Sequence, residues 1–253
     1  MFNITIYGGT DRGKVRVSNQ DSIYFNQFDR SSQGLAIVAD GVGGQAGGDV
    51  ASKLAVDVVE DHIRKSLLLA HSGAGYPEDW LETNLTKAIQ KANHKIKQQQ
   101  EDDESLSSMA TTIVAMLVVD DMAGFAYLGD SRIYLWQDNK LNQLSKDHTV
   151  AQQMVDEGAL TDLQASVSPY SHVLTNGLGI KAEINIIMST VSIEANDIYL
   201  LCSDGLTNCL TDEEISGILS TDGAIDQKVD ELITAANDNG GKDNISVVLL
   251  QCS

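Results

Sequence analysis

Six short apolar runs constrain this chain more than any other feature. They are GLAIVA (34–39), TTIVAMLVV (111–119), GFAYLG (124–129), RIYLWQ (132–137), DIYLLCS (197–203) and ISVVLLQ (245–251). Their β-branched and aromatic side chains suit a pleated surface, and their lengths suit strands. Several are almost unbroken in apolar residues, so both faces must be covered, by a second sheet or by helices. VVDDMAGF and WQDNKLNQL, which join successive runs, read as hairpin turns.

Two stretches carry a helical period instead. From Asp49 to about Leu69, the residues Ala51, Ala55, Val59, Ile63 and Leu67 recur every four positions. From about Asp79 to Gln99, Leu81, Leu85, Ala88, Ile89, Ala92 and Ile96 form a second stripe. Thr149 with Gln152 and Thr211 with Glu214 have capping-box spacing ahead of two shorter helices, and Gly158 suits a helix end. QQQEDDESLSS reads as a solvated loop, residues 159–182 as irregular, and AEINIIMSTVSI as a return to strand. The order predicts an α+β protein with sheets in the middle and helices outside. With 253 residues, two prolines and no long linker or repeat, one domain spanning 1–253 is the simplest organisation.

The formal net charge of −19 repels nucleic acid and anionic membrane, which argues against both as partners. The three cysteines, Cys202, Cys209 and Cys252, are odd in number and lack CxxC spacing. They point to a reducing compartment rather than to a disulfide framework or a structural zinc site. MFNITIYGGTDRGK has no signal pattern, and the longest clean apolar run, IVAMLVV, is too short to span a bilayer. A cytoplasmic protein is expected.

Aspartates stand where the apolar runs stop. Asp40 ends GLAIVA and Asp204 ends DIYLLCS, each followed by glycine; Asp130 lies between two runs, Asp243 just before one, and Asp21 just before SIYF. Any single Asp-Gly pair is an ordinary turn. Several such strand ends sharing one region would gather carboxylates that repel and demand a compensating cation. All these donors are hard oxygens, with no clustered Cys or His, which suits Mg²⁺ or Mn²⁺. Two such ions would also let a protein this acidic attract a phosphate. Arg16, five residues before Asp21, is either a surface side chain or a bidentate phosphate grip beside the ions.

Eight segments in order carry a resemblance: DRGKVRVSNQD (11–21), VADGVGGQAGGDVAS (38–52), TTIVAML (111–117), YLGDSRIYLW (127–136), LSKDHT (144–149), HVLTNGLG (172–179), LLCSDGLTN (200–208) and KDNISVVLL (242–250). Together they resemble the metal-dependent protein phosphatases of the protein phosphatase 2C (PPM) family, in its bacterial form. The resemblance implies a four-layer αββα fold, a central sandwich of two antiparallel β-sheets flanked by α-helices, with a variable flap at about 146–182. It implies hydrolysis of phosphoserine and phosphothreonine in proteins by in-line attack of a metal-bridging water. The cofactors would be two Mn²⁺ or Mg²⁺ ions, with a third, weaker site.

By the same resemblance, Asp40 would bridge two ions and the Gly41 carbonyl would bind the second. Asp204 and Asp243 would complete the first ion's ligands, and Asp21 would hold ion-bound waters. Asp130 and Asp204 would bind the third ion, and Arg16 the substrate phosphate. Arg16, Asp40, Asp204 and Asp243 are thus the expected catalytic set. Substrates would be phosphoproteins made by a bacterial serine/threonine kinase, and the enzyme a monomer. Val42, Gln20 and Asn176 depart from the family's usual histidine, acid and arginine at those positions. The leaving oxygen's proton would come from an ion-bound water. His148 is a second candidate, although KDHT before a helix reads first as a capping turn. Cys202 reads as core packing. Two other functions fit the carboxylates less well: another di-metal phosphoester hydrolase, such as a nucleotide phosphatase or nuclease, and a non-catalytic module of the same fold.

Overall fold

A computed structural model of the chain describes residues 3–28, 32–42, 47–71 and 76–253. Residues 43–46 of the Gly-rich segment lie outside these. In chain order the elements are β1 (Ile4–Asp11), β2 (Asp21–Gln27), β3 (Gln33–Val42), α1 (Gly48–His71), α2 (Trp80–Asp102) and a 3₁₀ turn (Glu104–Leu106). Then come β4 (Ala110–Thr111), β5 (Ile113–Val119), β6 (Met122–Leu128), β7 (Arg132–Gln137), β8 (Lys140–Gln143), α3 (Val150–Asp156) and α4 (Asp162–Ser166). The chain closes with β9 (Ile187–Ser192), β10 (Ile198–Cys202), α5 (Asp204–Thr207), α6 (Asp212–Leu219), α7 (Ile225–Asp238) and β11 (Ile245–Cys252).

The strands form two sheets, ordered β1-β11-β10-β7-β8 and β2-β3-β5-β6-β9, with β4 paired to β3. Every pairing is antiparallel. Four layers then create three apolar interfaces, which is why so many strand residues are apolar at every position. Along β3, Leu35, Ile37 and Ala39 pack against the α1–α2 layer, through Ala55, Val59 and Ile89 among others. The alternate residues Ala36 and Val38 face the other sheet, in one cluster with Met116, Leu201 and Val248. On β10, Tyr199 and Leu201 join that inter-sheet layer, while Leu200 and Cys202 turn to α6 and α7, against Ile215, Val229 and Leu232. The period of two in each strand thus sorts its side chains between two cores. The expected αββα sandwich is the observed fold.

Details depart from the sequence expectation. Helix α2 runs on to Asp102, so the start of QQQEDDESLSS is helical, and Asp103 then caps the 3₁₀ turn by accepting from the Ser105 N–H at 2.9 Å. β9 begins only at Ile187, and the irregular stretch 159–182 contains α4, capped by a reciprocal Thr161–Gln164 pair. Thr211 and Glu214 make their reciprocal cap. Thr149 accepts from the Gln152 N–H, but the Gln152 side chain bonds Asp156 instead, so only half of that box forms. Gly158, at φ +74°, follows the end of α3. Strand β1 and helix α7 were not expected at all, although Ile225, Val229, Leu232 and Ala236 have helical spacing and are buried. Asp138 and Asn139, at φ 51° and 60°, make the tight β7–β8 turn in the left-handed region that short-chain polar residues tolerate. Among the described residues, no helix is long and apolar enough to cross a membrane.

Candidate metal centre

Antiparallel pairing brings several strand ends to one end of the sandwich. In the first sheet, the end of β10 lies beside the start of β11, with Cys202 opposite Val247. In the second, the start of β2 lies beside the end of β3, with Asp21 directly opposite Asp40. A cavity of about 1260 Å³ opens there, and Asp40, Asp130, Asp204, Asp243 and Arg16 line it. Asp21 sits behind them, joining the two sheets: its Oδ2 accepts from Ser203 Oγ and from Ser246 Oγ, each at 2.7 Å.

Neither Asp-Gly pair is a hairpin turn. Strand β3 continues through Asp40 and Gly41 to Val42. The Asp40 N–H donates to Thr112 Oγ1 at 3.0 Å, and its carbonyl accepts from the Thr112 N–H at 2.9 Å and from Thr111 Oγ1 at 2.8 Å. The backbone is held on both sides while the side chain enters the cavity. A Cβ on Gly41 would lie 2.1 Å from the Gly48 carbonyl oxygen, so glycine lets β3 meet the start of α1. At the other pair, Asp204 is the first residue of α5. A Cβ on Gly205 would lie 1.9 Å from the Asn244 carbonyl oxygen, so glycine is what allows the Asp204 and Asp243 loops to touch.

Asn244 fastens the rest of the rim. Its Oδ1 accepts from the Gln20 N–H at 2.8 Å, and its Nδ2 donates to the carbonyls of Arg12 and Ser18 at 2.9 and 3.0 Å. The loop carrying Arg16 is thereby tied to the residue after Asp243. Arg16 Nη2 donates to Asp243 Oδ2 at 2.6 Å, and Asp243 Oδ1 accepts from the Asn244 N–H at 2.8 Å. Asp243 chiefly, then Asp40 and Asp204, hold the guanidinium in its charged form.

The electrostatics favour a cation. Burial, with the neighbouring Asp204 and Asp243 charges, pushes the Asp21 carboxyl up to about 6 despite its two serine donors. Burial, with Asp204 and Asp147, pushes Asp130 up to about 8. Asp40 is raised well above the usual carboxylate range, by burial first and then by Asp21, Asp204, Asp130 and Asp243. Asp21 Oδ1 and Asp204 Oδ1 are buried and have no hydrogen-bond partner among the described residues. Buried oxygens left unpartnered among like charges fit hard divalent cations, whose ligands are such oxygens.

Sequence reasoning missed four residues here. Ser203 and Ser246 orient Asp21, and Asn244 ties the rim; all three are neighbours, or near neighbours, of the aspartates in the chain. The fourth is His172, whose Nδ1 lies 3.4 Å from Asp204 Oδ2. Asp130, His172 and Asp204 present ligand atoms within 4.8 Å of one another. His148 is elsewhere. It stacks on Tyr127 at 5.4 Å and its Nδ1 accepts from the Gly129 N–H at 3.2 Å, while Thr149 supplies the helix cap. Burial lowers its pKa, and it does not line the cavity. Asn176 donates to the Asn185 carbonyl at 2.8 Å, and Val42 stands half exposed at the cavity mouth.

The model of the family described as Protein phosphatase 2C matches residues 9–249. The chain belongs to the protein phosphatase 2C family. Among curated relatives, the serine/threonine phosphatase stp of Listeria welshimeri is 36% identical over 244 residues, covering 96% of this chain and 93% of the relative. Among solved structures, the serine/threonine phosphatase PstP/Ppp of Mycobacterium tuberculosis is 34% identical with a TM-score of 0.84, covering 98% of both chains. The catalytic domain of PstP in complex with two manganese ions is 33% identical with a TM-score of 0.80, covering 100% of this chain and 99% of that one. Both solved structures share the fold of this chain.

Proposed function

We propose that this protein phosphatase 2C member is a metal-dependent protein serine/threonine phosphatase, with residues 1–253 acting as one catalytic domain. The observation that carries the reading is the convergence of Asp40, Asp204 and Asp243 on one cavity, with Asp21 behind them and buried carboxylate oxygens left unpartnered. The phosphatases to which the chain is similar support the choice of phosphoserine and phosphothreonine in proteins as substrate.

Asp40 would be shared by two Mn²⁺ or Mg²⁺ ions, with the Gly41 carbonyl on one and Asp204 and Asp243 on the other. Asp130 and Asp204 would hold a third, weaker ion. When bound, the ions supply Lewis acidity for phosphoester hydrolysis, polarising phosphoryl oxygens and lowering the pKa of water. Asp21, fixed by Ser203 and Ser246, would orient water at the centre through its Oδ1, which has no partner among the described residues. Arg16 exchanges Asp243 for the substrate phosphate, whose oxygens match its planar fork. The buried thiol of Cys202, pushed up to about 12 by burial, stays protonated and takes no part as a nucleophile. The three free cysteines support action in a reducing cytoplasm. The substrates would be products of a bacterial serine/threonine kinase, and the enzyme a monomer.

The test is turnover of phosphoserine and phosphothreonine peptides against mononucleotides, with added Mn²⁺ and again with chelator. Peptide hydrolysis that needs the metal, with nucleotides turned over far more slowly, is the expected result. Faster nucleotide turnover would assign a different phosphoester hydrolase, and no metal-dependent turnover of either would leave a non-catalytic module.

A further inference from the structure

The flap reaches the cavity through few side chains: Ser166, His172 and Leu174 line it from this segment. Of these, only His172 carries a strong metal-ligating atom. It is placed by the flap's own backbone bonds, since the next residue, Val173, accepts from the Val150 N–H at 2.8 Å and donates to the Tyr170 carbonyl at 3.2 Å. The imidazole thus belongs to the flap, yet its Nδ1 points at Asp204, a residue of the sandwich.

An ion pair with Asp204 does not account for the whole cluster. Asp130 is 9% exposed, and among the described residues its carboxylate accepts from its own backbone N–H but from no side-chain donor. Asp204 Oδ1 is also buried without a partner among the described residues. One exposed imidazole at the edge of two carboxylates compensates them only in part. A cation among the three groups compensates all of them, and the 4.8 Å within which their ligand atoms lie is about twice a hard cation's bond to oxygen.

We propose that His172 is a third protein ligand, beside Asp130 and Asp204, of the outermost ion, so that binding this ion fastens the flap to the sandwich. The assignment rests on the metal-dependent reading above and adds to it a ligand from a segment that contributes none to the other two ions. It has a chemical consequence. Exchanging an oxygen for an imidazole nitrogen shifts this position away from Mg²⁺ and towards transition ions such as Mn²⁺. It has a mechanical one too: residues around 170–175 should be held while the ion is bound and released when it leaves.

The experiment is a Mn²⁺ titration of the full chain, read by calorimetry, by pulsed electron paramagnetic resonance for imidazole ¹⁴N coupling, and by hydrogen exchange of the flap. Wild type should bind two tighter equivalents and one weaker, with ¹⁴N coupling and slowed exchange at 170–175 appearing together with the weaker one. His172→Ala changes a side chain that is 63% exposed, so the protein should fold normally. It should keep the two tighter equivalents, bind the weaker one at least about tenfold less well, and lose both the coupling and the flap protection. Absence of ¹⁴N coupling in wild type at full loading, or an unchanged weak equivalent in His172→Ala, would overturn the assignment. Absence of the two tighter equivalents would overturn the two-ion reading instead, while the coupling would still decide His172.

Discussion

Arg16 Nη2 lies 2.6 Å from Asp243 Oδ2, so the guanidinium at the cavity mouth is joined to a carboxylate that the proposed mechanism assigns to an ion. A bound ion would compete with Arg16 for Asp243, which would leave the guanidinium for the substrate phosphate. Arg16→Ala should therefore separate substrate effects from metal effects. The expected outcome is a fall of kcat/KM on a phosphopeptide on the order of 10- to 100-fold, the range of a lost charge-assisted contact. Mn²⁺ affinity should be unchanged or tighter, because a competing cation has gone. Steady-state kinetics and metal titration of the same variant check this, and a large loss of metal affinity would contradict it.

Asp204→Asn tests the metal assignment from the other side. Amide for carboxylate keeps the shape but removes a charge beside Asp40 and Asp130, so the fold should survive while Mn²⁺ affinity and turnover fall by about 100-fold or more. Circular dichroism with metal titration reads both. Cys202→Ala, in the core between β10 and α7, should instead keep kcat and KM and cost about 1 kcal/mol of stability by leaving a small cavity.

Gly205 coordinates nothing in the proposed centre, yet Gly205→Ala should weaken metal binding. Its Cβ would meet the Asn244 carbonyl at 1.9 Å and force the Asp204 and Asp243 loops apart. A lowered Tm together with a Mn²⁺ affinity reduced by about tenfold or more is expected. A variant that loses stability but binds Mn²⁺ normally would show that the close approach of the two loops does not set the site.

The raised carboxyls make a pH prediction for the ion-free protein. Asp21 stands at about 6 and Asp130 at about 8 when folded, above the value of about 3.9 for an unfolded aspartate. Between these limits the folded state holds more protons than the unfolded one, so stability falls as pH rises. The contribution is whole below about pH 4 and is lost progressively up to about pH 8. In chelator, Tm should therefore decline from pH 5 to pH 8, and Asp130→Asn should flatten the upper part of that decline. Added Mn²⁺, which needs the ionised carboxylates, should raise Tm most at pH 8. A chelated Tm that climbs through this range would contradict the account.

Much of this was legible in the sequence, for identifiable reasons. The strands with unbroken apolar runs, β5, β10 and β11, lie between two cores and announce themselves by composition. Asp40 closes the apolar run of β3, which continues to Val42, and Asp204 opens α5 just after β10, so each marks where an apolar run stops. β1 pairs with β11 along its whole length, but Gly8 and Gly9 interrupt its apolar pattern. α7 carries a clear apolar stripe, but its acids and the closing Asn-Gly-Gly dilute the signal. His172 could not be found by pattern: it has no motif spacing to Asp130 or Asp204, and only the folding back of the flap brings it to them. The inter-loop ties of Asn244 are equally non-local, since they join residues more than 220 positions apart.

The central claim is that these aspartates hold a pair of divalent ions at the end of the sandwich. The most direct measurement is anomalous diffraction from a crystal grown in Mn²⁺, collected at the manganese edge. The account predicts two strong peaks, with Asp40 touching both and Asp204 and Asp243 on one of them. A well-ordered site with no anomalous peak between Asp40 and Asp243 would contradict it.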